Sequence, residues 1–191
     1  MFTQTINNTQ FTFETSSNVF SPSKIDSGTL AMLSAVDFSA GDKLLDLGCG
    51  YGAVGIYAAQ FLEPQNIVMC DIDDECIRLT KKNLELNGIK GVEVVTGSGF
   101  SNIGCNDFTL ILSNPPYHSD FSIPKHFIEK GFNRLQIAGK MYMVTKREAW
   151  YRNKLTAIFG GVRVQEIDGY FVFCAEKRSH QYHSKRNNRR S

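Results

Sequence analysis

From residue 43 onward the chain alternates short apolar runs with amphipathic stretches. Residues 43–47 (KLLDL) read as a buried strand stopped by glycines, and residues 53–62 (AVGIYAAQFL) as a helix. Pro64 closes that helix, because proline offers no backbone donor there. Residues 66–70 (NIVMC) form the second expected strand. Residues 73–87 read as a helix: Asp73 caps its start, Ile77, Leu79, Leu84 and Leu86 supply apolar positions, and Asn87-Gly88 ends it. Strands are expected at 92–95 and 108–112. A helix near 125–136, a strand at 140–145, a helix near 148–159 and two closing strands at 162–167 and 170–175 complete the pattern, with Gly169 as a tight turn.

Strands alternating with helices predict a parallel sheet covered on both faces. The adjacent closing strands predict one antiparallel hairpin at its edge. Upstream, residues 25–36 read as a helix packed before the first strand, and residues 11–20 as an added strand or lid. The expected division is an N-terminal extension at 1–24, the main domain at 25–176 and a basic, disordered tail at 177–191.

Composition adds limits. The 191 residues suit one domain, and a folded chain of this size buries roughly 70% of the surface its unfolded form exposes. No run approaches a membrane span, and residues 1–10 lack the pattern of a secretory signal. Cys49, Cys70, Cys76, Cys105 and Cys174 include no CxxC pair, which argues against zinc and for a reducing, cytoplasmic setting. No metal is expected. The net charge of +2 hides an asymmetry. Every acid lies at or before Glu176, whereas Lys177, Arg178, Lys185, Arg186, Arg189 and Arg190 follow it. Such a tail suits phosphate contacts through counterion release, or a solvated end without a partner.

Asp46-Leu47-Gly48-Cys49-Gly50-Tyr51-Gly52 follows the first main-domain strand and opens a helix. Glycines there let the backbone turn tightly and let a ligand approach main-chain amides without Cβ clashes. Asp71 ends the next strand, where a ribose-binding acid belongs. Gly50, Gly52 and Gly55 also satisfy GxGxxG, so a nicotinamide or flavin site competes on this evidence. Asp46 places negative charge where an amino group of a zwitterionic ligand could sit.

The second motif is Ser113-Asn114-Pro115-Pro116-Tyr117, after the strand at 108–112. Asn114 offers a side-chain carbonyl, and the prolines leave backbone carbonyls as acceptors while removing donors. Two acceptors at fixed angles suit a planar NH2, whose lone pair they would aim at an electrophilic methyl. Tyr117 can stack on a flat base or amide. His118 reads more naturally as a surface loop residue than as a proton acceptor. Residues 146–152 (KREAWYR) mix bases with aromatics, which fits either RNA contact or the start of an amphipathic helix with Trp150 packed inward.

Together the glycine loop, Asp71 and Asn-Pro-Pro-Tyr resemble the amino-directed class I methyltransferases. Over residues 10–176 the chain is similar to the methyltransferase small-domain family, which includes ribosomal RNA guanine-N2 methyltransferases. Phe11-Thr12-Phe13, Val19-Phe20-Ser21 and Ile25-Asp26-Ser27-Gly28-Thr29 extend the likeness. It implies a Rossmann-like seven-stranded sheet with a reversed last strand and S-adenosylmethionine (SAM) as donor. Gly48, Gly50 and Asp71 would hold SAM, with Asp46, Cys49, Gly52, Ile72, Ser98, Gly99 and Asn114 completing its site. Asn114 and Pro115 would hold the target amine, with Tyr117 beside them. Many relatives carry an acid against adenine where this chain has Ser98, a neutral acceptor that bonds roughly half as strongly.

The implied reaction is methylation of a guanine amino group in ribosomal RNA, free or in a subunit, by a monomer or homodimer. The alternative is protein glutamine methylation of the release-factor type, because an amide NH2 presents the same geometry. The leader at 11–29 favours RNA.

Overall fold

The computed structural model describes residues 1–116 and 121–184. It opens with an antiparallel hairpin of β1 (Phe2–Ile6) and β2 (Thr9–Phe13). Asn7 and Asn8 turn it with φ of 46° and 65°, the left-handed pair that a two-residue hairpin requires. The polar start of the chain conceals β1 from a hydrophobicity reading, although FTQTI and TQFTF alternate around that Asn-Asn pair.

Then follow α1 (Ser27–Ala35), β3 (Leu44–Leu47), α2 (Ala53–Ala58), a 3-10 turn (Pro64–Asn66), β4 (Ile67–Asp71), α3 (Asp74–Leu86), β5 (Glu93–Thr96) and β6 (Phe108–Ser113). The last elements are α4 (Ser122–Arg134), β7 (Leu135–Thr145), α5 (Glu148–Phe159), β8 (Arg163–Ile167) and β9 (Tyr170–Glu176). The main sheet runs β5-β4-β3-β6-β7-β9-β8. Only β9 is reversed, antiparallel to both of its neighbours, so the expected closing hairpin is present. Asp168 and Gly169 turn it at φ of 50° and 75°.

Side chains alternate across this sheet and build a core on each face. Leu44, Leu110 and Leu112 face α1, α2, α3 and the hairpin, whereas Leu45, Leu47 and Ile111 face α4 and α5. Winding reverses between β3 and β6, the central strand. Their carboxyl ends therefore flank a crevice, the ligand position in open α/β sheets.

Two expected boundaries shift for physical reasons. Helix α2 stops at Ala58, and Gln60 and Phe61 donate to Tyr57 and Ala58 in tighter i→i+3 bonds. Strand β7 begins at Leu135, five residues early, because Leu135 pairs with Phe108 before an irregular stretch restores register at Lys140. Gly139 permits this: a Cβ there would lie 2.8 Å from the Phe108 carbonyl oxygen.

Packing runs across residues 24 and 176. Phe11, Phe13 and Val19 belong to the core, and two asparagines strap the hairpin to α3. The buried Asn83 accepts from the Glu14 amide (2.6 Å) and donates to the Glu14 carbonyl (3.0 Å) and the Tyr51 carbonyl (2.8 Å). Asn87, one turn on, makes the same pair of bonds with Thr12. These side-chain amides act toward β2 as a neighbouring strand would. At the other end Lys177 is 6% exposed and donates to the Leu135 carbonyl oxygen. Burial pulls its ammonium below the usual lysine range. Tyr182 donates to the Glu129 carbonyl at 3.0 Å and meets Phe132 edge-on. Residues 177–184 thus dock on α4, and the rest of the basic tail lies outside the described residues. Among the described residues no helix is long and apolar enough to cross a membrane.

Candidate active site

The crevice at the carboxyl ends of β3, β4 and β6 opens into a cavity of about 510 Å³, within the range of small-ligand sites. Its lining is mainly apolar. Asp46, Gly48, Cys49, Gly50, Asp71, Ile72, Ser98, Gly99, Asn114 and Pro115 all contribute to it. Gly52 does not. It caps α2 at φ 98°, and a Cβ there would press on Met69 and Thr80 at 3.1–3.2 Å, so this glycine serves packing. Tyr117 and His118 lie outside the described residues.

The glycine loop is held from behind. The Gly48 and Cys49 amides both donate to the Cys70 carbonyl (2.8 and 3.0 Å), and the Gly50 amide donates to Asp71 Oδ2 (2.8 Å). A pyrophosphate needs such amides for itself, so these bonds weigh against the nicotinamide or flavin reading. What the loop offers instead is bare backbone: φ is +77° at Gly48 and +57° at Gly50. Across the cavity, Gly99 at φ +64° approaches His126 so closely that a Cβ would stand 3.0 Å from its Nε2.

Two carboxylates share this space. Asp71 accepts from Gly50 through Oδ2 and from the Asp73 amide through Oδ1 (3.1 Å), so its orientation is fixed. Each oxygen retains a second lone pair for a hydroxyl. Asp46 is 1% exposed and accepts from the Gly55 amide (3.1 Å). Burial pushes its carboxyl up to about 7; the Gly55 bond opposes this and the charge of Asp71 adds to it. The cavity's thiols stay neutral. Burial raises Cys49 well above the usual range, Cys70 to about 11 and Cys76 to about 12, so none serves as a ready nucleophile.

Asn114 follows β6 and its side chain is oriented. Nδ2 donates to Asp26 Oδ2 and to Thr29 Oγ1, both at 2.9 Å. Both N–H groups of the amide are thereby committed to this wall of the cavity. Asp26 and Thr29 line the cavity with Phe20 and Ile25, and α4 contributes Ile123, His126 and Phe127. Sequence reasoning put the leader in the family pattern but outside the site. The signal available was Asp26 itself, an N-cap three residues ahead of a buried threonine. The α4 aromatics carry no sequence signal, because only the return of the chain over β6 brings them to the cavity.

The aromatic and basic side chains of segment 146–152 make contacts within the chain. Trp150 stacks on Phe121 (centroids 4.3 Å apart), and Arg152 pairs with Glu148 one turn away. Lys146 lies over Tyr170 and Arg147 over Phe121, each a cation against a ring face. Among the described residues no cluster of His, Cys, Asp or Glu could hold a metal.

Comparison with known proteins fits this geometry. The chain is 30% identical over 178 residues to the Bacillus subtilis protein named Uncharacterized protein YbxB, covering 90% of this chain and 89% of that one. It is 29% identical over 164 residues to Ribosomal RNA small subunit methyltransferase C of Pseudoalteromonas atlantica, covering 83% of this chain and 47% of the relative. A solved structure, the T. Thermophilus 16S rRNA N2 G1207 methyltransferase (RsmC) in complex with AdoMet and Guanosine, superposes with a TM-score of 0.85 at 27% identity. That match covers 93% of this chain and 50% of RsmC. The chain thus spans about half the length of its methyltransferase C relatives. Residues 10–174 match the family described as Methyltransferase small domain, and with the sheet, the glycine loop and the oriented Asn114 in place, the chain belongs to that family.

Proposed function

We propose that the protein transfers a methyl group from SAM to the exocyclic amino group of a guanine in ribosomal RNA. The carrying observation is the Asn114 amide, whose two N–H groups are both taken by Asp26 and Thr29 at the wall of the cavity it shares with Asp46 and Asp71, which would leave Oδ1 as the end offered to an amine. The fold neighbour that contains both AdoMet and guanosine supports the choice of donor and base.

The residues present suit SAM. Bare glycine backbone at 48, 50 and 99 accommodates a bulky ligand, Asp71 would accept from ribose hydroxyls, and Asp46 would face the amino group. Ile72, 70% exposed at the rim, and Phe127 offer apolar cover for adenine. SAM supplies an electrophilic methyl on a sulfonium when bound. The protein's share is alignment and exclusion of water. Asn114 Oδ1 and the Pro115 carbonyl would each accept one proton of the target NH2, leaving the nitrogen lone pair as the only unshared direction. So held, the nitrogen would be aimed at the donor's methyl, and the proton it sheds on methylation would pass to water. No general base is required, because an amine becomes a strong acid once methylated and can lose its proton to water. A base inside a duplex must first be extruded, at a few kcal/mol of unstacking.

The test is incubation with radiolabelled SAM and either ribosomal RNA or small subunits, followed by nucleoside mass spectrometry. N2-methylguanosine is expected, and Asn114→Ala should slow turnover at least a hundredfold, the scale of losing an oriented transition-state contact, while SAM binding stays within about threefold. Label in a release-factor glutamine, or unimpaired turnover by Asn114→Ala, would overturn the reading.

A further inference from the structure

We propose that Asp26 and Thr29 are positioning residues that set which end of the Asn114 amide faces the substrate. This rests on the reading that Asn114 takes the target amine. The two ends of an asparagine amide are nearly the same size, so shape alone does not choose between them. Turned by 180°, Asn114 would present N–H groups to an incoming NH2, donor against donor, and the amine would not be held.

The cavity wall makes that choice electrostatically. Asp26 Oδ2 accepts from Asn114 Nδ2 at 2.9 Å and also from the Thr29 amide at 3.1 Å, where it caps α1. An ionised carboxylate accepts only, so a turned Asn114 would set its oxygen against Asp26. Thr29 Oγ1, also 2.9 Å from Nδ2, can donate or accept and tolerates either state. Asp26 is therefore the discriminator, and Thr29, 8% exposed on the first turn of α1, fixes the distance. Negative charge behind Nδ2 also polarises the amide and strengthens Oδ1 as an acceptor.

The distinguishing variants are Asp26→Asn, which keeps a good helix cap but can offer either amide end, and Thr29→Val, which keeps shape and loses one acceptor. Two readouts are taken on the full chain: side-chain amide resonances of Asn114 by 15N NMR, and steady-state turnover with RNA. Asp26→Asn should shift the Asn114 resonances and lower kcat about tenfold, with SAM affinity and RNA KM within about twofold. Thr29→Val should lower kcat about threefold, and Thr29→Ser should restore it. Unchanged Asn114 resonances in both variants, or shifted resonances with undiminished kcat, would overturn the proposal. Should wild-type protein methylate no RNA, the proposed function fails, and the NMR measurement alone decides the orientation.

Discussion

Lowering pH from 7 to about 5.5 should weaken SAM binding about fifteenfold, through Asp46. Burial holds this carboxyl up at about 7, against an ordinary value of 3.8. In the proposed complex the donor's ammonium lies beside it and favours the ionised form, which returns the bound-state value toward the ordinary range. Binding then requires an ionised Asp46, so affinity follows the fraction ionised in the empty site. That fraction is about half at pH 7 and roughly 3% at pH 5.5, a ratio near fifteen. Above about 7.7 the donor's own α-amino group begins to lose its proton, so the useful window ends there.

Calorimetry in two buffers of different ionisation enthalpy measures both parts of this. Near pH 6 wild-type protein should release close to one proton per SAM bound. Asp46→Asn should bind more weakly at pH 7 and show almost no pH dependence. The empty protein carries the opposite sign. Its native state binds more protons than the unfolded chain between 3.8 and about 7, so the group's contribution to stability is full below 3.8 and is lost as pH rises through 7. Empty Asp46→Asn should therefore melt higher than wild type at pH 8. A wild-type affinity that changes less than about threefold across this window, with no proton released, would refute the placement of the donor ammonium at Asp46.

Two stability predictions follow from packing. Asn83→Ala removes a buried amide that holds Glu14 and Tyr51, and should cost about 3 kcal/mol in urea denaturation by stranding those backbone groups. Gly55→Ala puts a Cβ 2.6 Å from Met69 Sδ and should cost about 1–3 kcal/mol, with Met69→Ala in the same chain recovering part of it.

The parallel sheet and its closing hairpin were legible because buried strands leave apolar runs and glycines mark their ends. β3, β4, β6 and α3 begin and end within one residue of their expected limits. The placement of the glycine loop and of Asn114 was legible for the same reason, since each follows a strand whose end could be placed. Gly52 shows the limit of such reading. It shares the motif's spacing with Gly50, yet its neighbours Met69 and Thr80 come from β4 and α3, contacts that no local pattern encodes. β1 was hidden because its alternation is mostly polar, and Lys177 because a lysine reads as solvated until a carbonyl is found for it.

The leader makes the site non-local. Gln4 accepts from the Ile25 amide at 2.8 Å, and Tyr51 of the glycine loop donates to the Lys24 carbonyl at 3.2 Å. Both bonds fix the segment that delivers Asp26 to Asn114, and the hairpin carrying Gln4 is itself held by Asn83 and Asn87 on α3. Loop closure over such separations contributes nothing favourable until the final contacts form. Anything that loosens the hairpin should therefore reach turnover before it reaches the sheet. A leader acting as a detachable lid would behave in the reverse way: its loss would open the cavity and speed exchange of SAM, leaving Asn114 as it was.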